Sequence, residues 1–234
     1  MKEKKLIREL YDRFGKSEAS VVDNLRNAIE KLSEDLYHKK SHFIFELIQN
    51  AEDNNYDNEK KPFIKFSLQH KSQPLLLVEN NEKGFSEENV TAICNVGRST
   101  KKNKIGYIGQ KGIGFKSVFK VTERPHIFSG NFAFSLPREI KELNIGYIAP
   151  IWCDKPPVEI DHDVTTIALP LMDGRKGDIR SELNDLAPET ILFLKKIQNL
   201  GIHFNSLTEN SSIVFSKESK EARGLVSLYV TRDE

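Results

Sequence analysis

The sequence predicts an α+β fold, with helices in the first part of the chain and mostly short strands after them. Apolar residues recur at helical spacing in three segments before residue 54, and from residue 63 onward short apolar runs are separated by Gly, Pro and Asn. Helical patterns followed by runs of strands are typical of this class. At 234 residues, the chain is long enough for one large domain with a sizeable core.

The composition excludes several classes of protein. The chain is 38% hydrophobic and 29% charged with a formal net charge of +1, which is typical of a soluble globular protein and gives no overall nucleic-acid signature. Cys94 and Cys153 fit no zinc-binding spacing, so we expect a reduced intracellular chain, in the cytoplasm or nucleus. The sequence has no apolar run typical of a signal peptide or a membrane span, so no membrane partner is expected.

Two amphipathic helices are predicted at the N-terminus. The first covers residues 3–14 and ends at Gly15, and Ser17 or Ser20 caps a longer helix that runs to about residue 37. The apolar side of this longer helix consists of Val21, Val22, Leu25, Ile29, Leu32 and Leu36. We expect it to pack against the core.

A third helical segment, residues 41–53, carries two stripes. The apolar stripe consists of Ile44, Leu47, Ile48 and Ala51. Glu46, Asn50 and Asp53 follow the same spacing on the opposite side. This polar stripe is interpreted either as an ordinary solvated face or as a row of oxygen ligands with one carboxylate base.

Two strands, residues 63–68 and 75–79, are predicted to form a hairpin or meander. The second runs directly into Asn80 and a turn that contains Gly84, after which Ser86 has the position of a helix N-cap. The segment 96–104 is rich in cations, which suits either a surface loop or a lid over a phosphate chain.

A glycine-rich run at residues 108–117 is the first candidate for phosphate binding. Dense glycines let the backbone approach a ligand, and a helix that begins at Gly114 would direct free N–H groups at an anion. The run is not a Walker A loop, because Phe115 stands between Gly114 and Lys116, and it lacks the third glycine of the Rossmann fingerprint. A phosphate cradle of another architecture and a structural turn both stay open.

The rest of the chain is predicted to contain more strands and one helical region. Four strands are predicted at residues 127–128, 132–136, 147–152 and 165–169. A helical region runs from Gly177 to about Leu200 with an interruption at Pro188. Short strands then follow at residues 202–204, 213–215 and 225–230. We expect a domain over residues 1–175 and an extension over 176–234 that begins a further region of a longer protein.

Three motifs fall in a fixed order: Glu46-x-x-x-Asn50-x-x-Asp53, a strand that ends at Asn80 with Gly84 beyond it, and the glycine-rich run. This order resembles the ATP-binding domain of gyrase B, heat-shock chaperones, histidine kinases and MutL, the GHKL superfamily with the Bergerat fold. Residues around these motifs look most like the chaperone-like branch and its subgroup typified by sacsin and NO VEIN. The resemblance implies a two-layer α/β sandwich, with a mixed, mostly antiparallel sheet covered on one face by helices.

The resemblance also implies a role for each matching residue. Glu46 is similar to the general base that orients the attacking water, and Asn50 to the protein ligand of Mg²⁺. Asp53, Asn80 and Gly84 would line the nucleotide pocket, and Thr165, or Thr166 in the alternative register, would lie near the adenine. The residues implied at the phosphate end are Lys101, Gly109, Gln110, Lys111, Gly112, Ile113, Gly114 and Phe115.

The function implied by this resemblance is Mg-dependent binding and slow hydrolysis of ATP, coupled to lid closure and to an ATP-dependent homodimer within a larger protein. Its ligands would be ATP, ADP and Mg²⁺. One alternative is an ATP-gated interaction module that does not hydrolyse the nucleotide. A weaker alternative is nucleic-acid binding through the cations of residues 98–111, which are better suited to a triphosphate.

The sequence departs from the superfamily pattern at the adenine end. Asn80 stands where an aspartate is usual, and Glu82 replaces the first glycine of the usual Asp-x-Gly-x-Gly motif. An amide oxygen still accepts a hydrogen bond from an adenine amino group, but without the assistance of a charge. The contact should be weaker by about 1 kcal/mol, so we expect modest affinity for ATP.

Overall fold

The computed structural model describes residues 2–35, 42–70, 73–95, 114–206, 210–220 and 225–233. Within these ranges the protein is a mixed α/β structure built on one open, mostly antiparallel sheet of nine strands. The predicted α+β class is therefore confirmed at the level of a helix-and-sheet fold. The more specific Bergerat sandwich stays a prediction.

Four helices lie before or between the first strands, and each was predicted. They are α1 (Lys2–Gly15), α2 (Ala19–Asp35), α3 (His42–Glu52) and α4 (Glu87–Ile93). Helix α4 begins where the sequence indicated, because the Ser86 side chain accepts a hydrogen bond from the Asn89 backbone while the Asn89 side chain accepts one from the Ser86 backbone. This reciprocal cap is local in sequence, which is why the start of α4 was predictable.

The first six strands lie between residues 63 and 170. They are β1 (Phe63–His70), β2 (Pro74–Asn80), β3 (His126–Ser129), β4 (Phe132–Ser135), β5 (Ile151–Trp152) and β6 (Thr165–Pro170). Strand β5 is shorter than the predicted strand 147–152. Tyr147 cannot be part of a regular strand, because it adopts a left-handed backbone conformation with φ of 61°.

The C-terminal part of the chain continues the same sheet. It contains α5 (Arg175–Asn184), a 3₁₀ helix (Pro188–Phe193), and strands β7 (Asn199–Ser206), β8 (Asn210–Lys220) and β9 (Leu225–Asp233). The spatial order of the strands is β5-β4-β3-β6-β2-β1-β7-β8-β9. Strand β7 pairs with β1 in parallel, and every other pair is antiparallel. The division at residue 175 stays a prediction, and the sheet is continuous across it.

The prediction of a helical region up to Leu200 was wrong in its second half. Helix α5 ends at Asn184, the 3₁₀ helix starts at Pro188, and Leu200 already belongs to β7. Proline cannot donate the backbone hydrogen bond that a continuing helix needs. Beyond the 3₁₀ helix, the backbone amides of residues 195–197 donate to the side chain of Glu52 instead of to a helix.

The main core lies between the helices and one face of the sheet. On the strands, it takes alternate residues such as Ile64 and Phe66 of β1, Val78 of β2 and Ile167 of β6. Helices α1–α5 all contribute buried side chains to the same cluster. A smaller apolar cluster on the opposite face contains Leu75, Leu77, Phe128 and Ala168. Within the described residues, no helix has the length and apolar character needed to cross a membrane.

Candidate functional site

The candidate site is organised along helix α3. Its apolar stripe is buried as predicted, with Ile44, Leu47, Ile48 and Ala51 each at most 2% exposed. The polar stripe is not a solvated face, because Glu46 and Asn50 are only half-exposed and Asp53 is buried. These oxygen-bearing side chains are thus held partly inside the protein, whereas an ordinary surface helix would expose them to water.

Glu46 lies against the end of the glycine-rich run. A 3₁₀ helix (Gly114–Lys120) begins at the last glycine of that run and packs on α3. A Cβ atom added to Gly114 would lie 2.8 Å from Cδ of Glu46 and would overlap its carboxylate. A helix therefore begins at Gly114, in 3₁₀ form, and a larger residue there would require the Glu46 carboxylate to move.

The rest of the predicted phosphate end falls outside the described residues. These predicted residues are Lys101, Gly109, Gln110, Lys111, Gly112 and Ile113. Phe115, the last residue of the predicted set, is half-buried and packs against the main core.

Lys116 has a structural use. Its Nζ is buried and donates hydrogen bonds to the carbonyl oxygens of Ile93, at 2.5 Å, and Tyr147, at 2.7 Å. Burial lowers the pKa of this ammonium group to about 8. Lys116 therefore ties the last turn of α4 to the segment before β5. Because its amine is engaged by these two carbonyl oxygens, it does not have the phosphate-binding role of a Walker lysine.

The adenine end predicted from the sequence maps to the ends of β2 and β6. Asn80 and Thr165 are direct partners across these two strands. Each lies two residues from a main-core residue of its own strand, so both side chains face the helix-covered side of the sheet. Thr166 is paired with Glu79 and faces the other side. Of the two candidate threonines, Thr165 is the one beside Asn80.

A buried polar cluster joins this pair to Glu82, a residue that sequence reasoning did not place in the site. Thr165 Oγ1 donates to Glu82 Oε1 at 2.7 Å and lies 2.6 Å from Ser129 Oγ, which also reaches Glu82 Oε1 at 3.3 Å. The backbone N–H of Glu82 donates to Asn80 Oδ1 at 3.3 Å. The one sequence signal for this cluster was that Glu82 stands where a glycine is usual.

Gly84 holds the turn after β2 in a conformation that favours glycine. Its φ is +94°, and an added Cβ would lie 3.5 Å from the backbone of Gly130 in the β3–β4 turn. The next residue, Phe85, donates its backbone N–H to Ser129 Oγ at 2.8 Å. The Gly84 turn is thereby fixed against the same serine that contacts Glu82.

The C-terminal end of α3 is tied to the Glu82 turn. Tyr56 forms a backbone bridge with Glu82, and its hydroxyl group donates to the carbonyl oxygen of Ala51 at 2.7 Å. Burial, followed by the nearby carboxylates of Glu82 and Glu52, raises the pKa of the Tyr56 hydroxyl above its usual value. Glu46 and Asp53 are separated by about 10 Å along the helix axis, so one helix connects the Gly114 contact with the strand-end cluster.

Glu52, which no sequence pattern marked as special, anchors α3 to the C-terminal part of the chain. Its buried carboxylate accepts hydrogen bonds from the backbone N–H groups of Lys195 at 2.7 Å, Lys196 at 2.8 Å and Ile197 at 3.0 Å. Three successive backbone N–H groups therefore converge on a single carboxylate.

These observations define a mixed α/β domain in which polar side chains of one helix meet the end of a glycine-rich run and a buried cluster at the strand ends. The chain belongs to the Sacsin domain family, whose model matches residues 19–137. That range contains α2, α3, the first two strands and the glycine-rich run.

Two relatives agree with this membership. Protein NO VEIN of Arabidopsis thaliana is 40% identical over 215 residues, which is 83% of this chain and 8% of that protein. Human sacsin is 36% identical over 89 residues, which is 38% of this chain and 2% of sacsin. The predicted resemblance to the sacsin and NO VEIN subgroup is confirmed. The chain spans less than a tenth of the length of either relative.

Proposed function

We propose that this domain binds Mg-ATP in a Bergerat-type site and hydrolyses it slowly, with Glu46 as the general base. The observation that carries the proposal is the contact between the Glu46 carboxylate and Gly114. It brings the first position of the helix motif to the end of the run that we assign to phosphate binding. A general base must reach the water that attacks the γ-phosphate, and the carboxylate stands where that run ends.

The donor set on α3 fits a magnesium nucleotide. Glu46, Asn50 and Asp53 present oxygen atoms, which are the ligands that Mg²⁺ prefers, and Mg²⁺ bound to ATP takes most of its remaining ligands from phosphate and water. No cluster of three or more His, Cys, Asp and Glu side chains suited to a metal occurs in the described part of the chain. We assign the single protein ligand to the side-chain oxygen of Asn50. The ion would neutralise charge on the phosphates.

The adenine is assigned to the strand ends. Asn80 and Thr165 are adjacent on the helix-covered face, and both are at most 4% exposed. Buried hydrogen-bonding groups at the end of a pocket give orientation and specificity to a bound base. Asp53, at the end of α3, would lie between this base position and the phosphates.

The test uses the whole chain with Mg²⁺, measuring ATP affinity by calorimetry and phosphate release from labelled ATP. Glu46→Gln keeps the size of the side chain and removes the base, so binding should change less than about threefold while hydrolysis falls at least about a hundredfold. Glu88→Gln, an exposed glutamate in the first turn of α4, is the matched control and should behave as the parent.

Two results would oppose the proposal. Equal hydrolysis by Glu46→Gln and the parent would remove Glu46 from the mechanism. Reversible binding of ATP without phosphate release by the parent would favour an ATP-gated interaction module. Sedimentation with and without a non-hydrolysable ATP analogue tests the proposed homodimer, which should appear only with the analogue and Mg²⁺.

A further inference from the structure

Glu82 places a buried carboxylate at the strand ends, beside the side chains assigned to the base. Its side chain is about 9% exposed, and it follows β2 by two residues. Burying a carboxylate is unfavourable unless hydrogen bonds compensate for the lost water. The Thr165 hydroxyl group provides that compensation at 2.7 Å from Glu82 Oε1, and Ser129 Oγ, 3.3 Å from the same oxygen, has one proton to share between it and Thr165 Oγ1.

The hydrogen bonds of this cluster run in one direction. The backbone N–H of Phe85 donates to Ser129 Oγ, and Ser129 Oγ lies 2.6 Å from Thr165 Oγ1. Thr165 in turn donates to Glu82. A hydroxyl group has one proton, so a Thr165 proton engaged by Glu82 is not available to a ligand. The acceptor at the end of the chain is the carboxylate.

At the strand ends, the negative charge lies on residue 82 and not on residue 80. Asn80 is neutral, and its side-chain oxygen already accepts the backbone N–H of Glu82. Glu82 is thus the charged acceptor next to Asn80 and Thr165, and it is fixed by contacts to β3 and β6. A carboxylate attracts an amino group and repels a carbonyl oxygen, because it is an acceptor only.

We propose that Glu82 is the residue that determines base specificity, by accepting a hydrogen bond from the exocyclic amino group of a 6-aminopurine nucleotide. This proposal rests on the proposed nucleotide site. It makes 6-oxopurine nucleotides poor ligands, because their carbonyl oxygen would face the carboxylate. A site built to pair with one polar group discriminates strongly against an analogue that lacks it.

The experiment measures the dissociation constants of ATP and ITP, which differ at the 6-position of the purine, for the whole chain in Mg²⁺. The parent should prefer ATP by at least about tenfold. In Glu82→Gln, the amide can donate as well as accept, so the preference should fall to within about threefold. Adding Asn80→Asp to Glu82→Gln returns a carboxylate to the site and should restore the preference for ATP. Glu88→Gln is the matched surface control.

The outcomes separate this proposal from the one on which it depends. A parent that binds neither nucleotide refutes the proposed function and this inference with it. A parent that binds ATP and ITP equally refutes the role of Glu82 alone, and that result needs no variant. If Glu82→Gln melts at a lower temperature but keeps the parental ratio of ATP to ITP affinity, the carboxylate is purely structural and the inference is wrong.

Discussion

Replacing Glu52 should destabilise the whole domain, because its carboxylate holds the segment before β7. Glu52→Ala would leave the N–H groups of Lys195, Lys196 and Ile197 without the acceptor that lies 2.7 to 3.0 Å away. Hydrogen bonds to a charged group contribute about 1.5 kcal/mol or more each, and unpaired buried donors cost further free energy. Water can reach part of this segment and replace some of the lost hydrogen bonds. We therefore expect the free energy of unfolding to fall by about 4 kcal/mol and not by the full sum.

Glu52→Gln gives a graded comparison. The glutamine oxygen can still accept from the segment, but its NH₂ group would face backbone donors and its charge is lost, so a loss of about 2 kcal/mol is expected. Glu189→Ala, an exposed glutamate of the nearby 3₁₀ helix, is the matched control and should change the free energy by less than about 0.5 kcal/mol.

The assay is urea unfolding followed by circular dichroism, with slopes compared so that a change in midpoint reports stability. The order of the losses should be Glu52→Ala, then Glu52→Gln, then the control. If Glu52→Ala lost no more than Glu189→Ala, the three hydrogen bonds would contribute nothing net, and the role of Glu52 as an anchor would be wrong.

Two further predictions concern Gly114 and Lys116, in the 3₁₀ helix at the end of the glycine-rich run. Gly114→Ala should slow ATP hydrolysis at least about tenfold by displacing the Glu46 carboxylate, whereas Gly177→Ala, where an added Cβ meets nothing within 4 Å, should hydrolyse ATP as the parent does. Phosphate release from labelled ATP tests this, and equal rates for both variants would contradict it. Lys116 makes stability rise with pH, because its pKa of about 8 in the folded state lies below its usual 10.5, so the unfolded chain binds more protons between these values. Burial raises the pKa of the neighbouring Cys94 thiol to about 12 from its usual 9.0, which opposes part of the rise from about pH 8 upward. The free energy of unfolding should therefore increase by roughly 0.6 kcal/mol from pH 8 to 9, and Lys116→Met should abolish the increase. An identical pH dependence in the variant would refute the assignment.

The features that were predicted from the sequence depend on local spacing. The apolar stripe of α3 has the period of a helix, so its burial followed from the positions of Ile44, Leu47, Ile48 and Ala51. The cap at Ser86 needs only a residue three positions away. A helix start at Gly114 was one of the possibilities that the glycine run left open, and its 3₁₀ form was not predicted.

The features that were missed depend on contacts between residues that are far apart in the chain. Glu52 and the segment it holds are separated by 143 to 145 residues, and Glu82 and Thr165 by 83. No periodic pattern records which backbone amides a glutamate will meet. The parallel pairing of β1 with β7 was missed for the same reason, because short apolar runs specify a strand but not its neighbour.

Helix α3 connects these distant segments, and this bears on any division of the chain at residue 175. Glu46 contacts Gly114 near the middle of α3, Ala51 accepts the Tyr56 hydroxyl that fixes the Glu82 turn, and Glu52 holds residues 195–197. An α-helix is stiff over such a distance, so a displacement of its last turn also moves Glu46. A fragment ending at residue 175 would leave the Glu52 carboxylate buried without its three donors and would remove the parallel neighbour of β1. The candidate site therefore depends on the C-terminal strands for its shape, although the predicted ligand-binding residues all lie before residue 175.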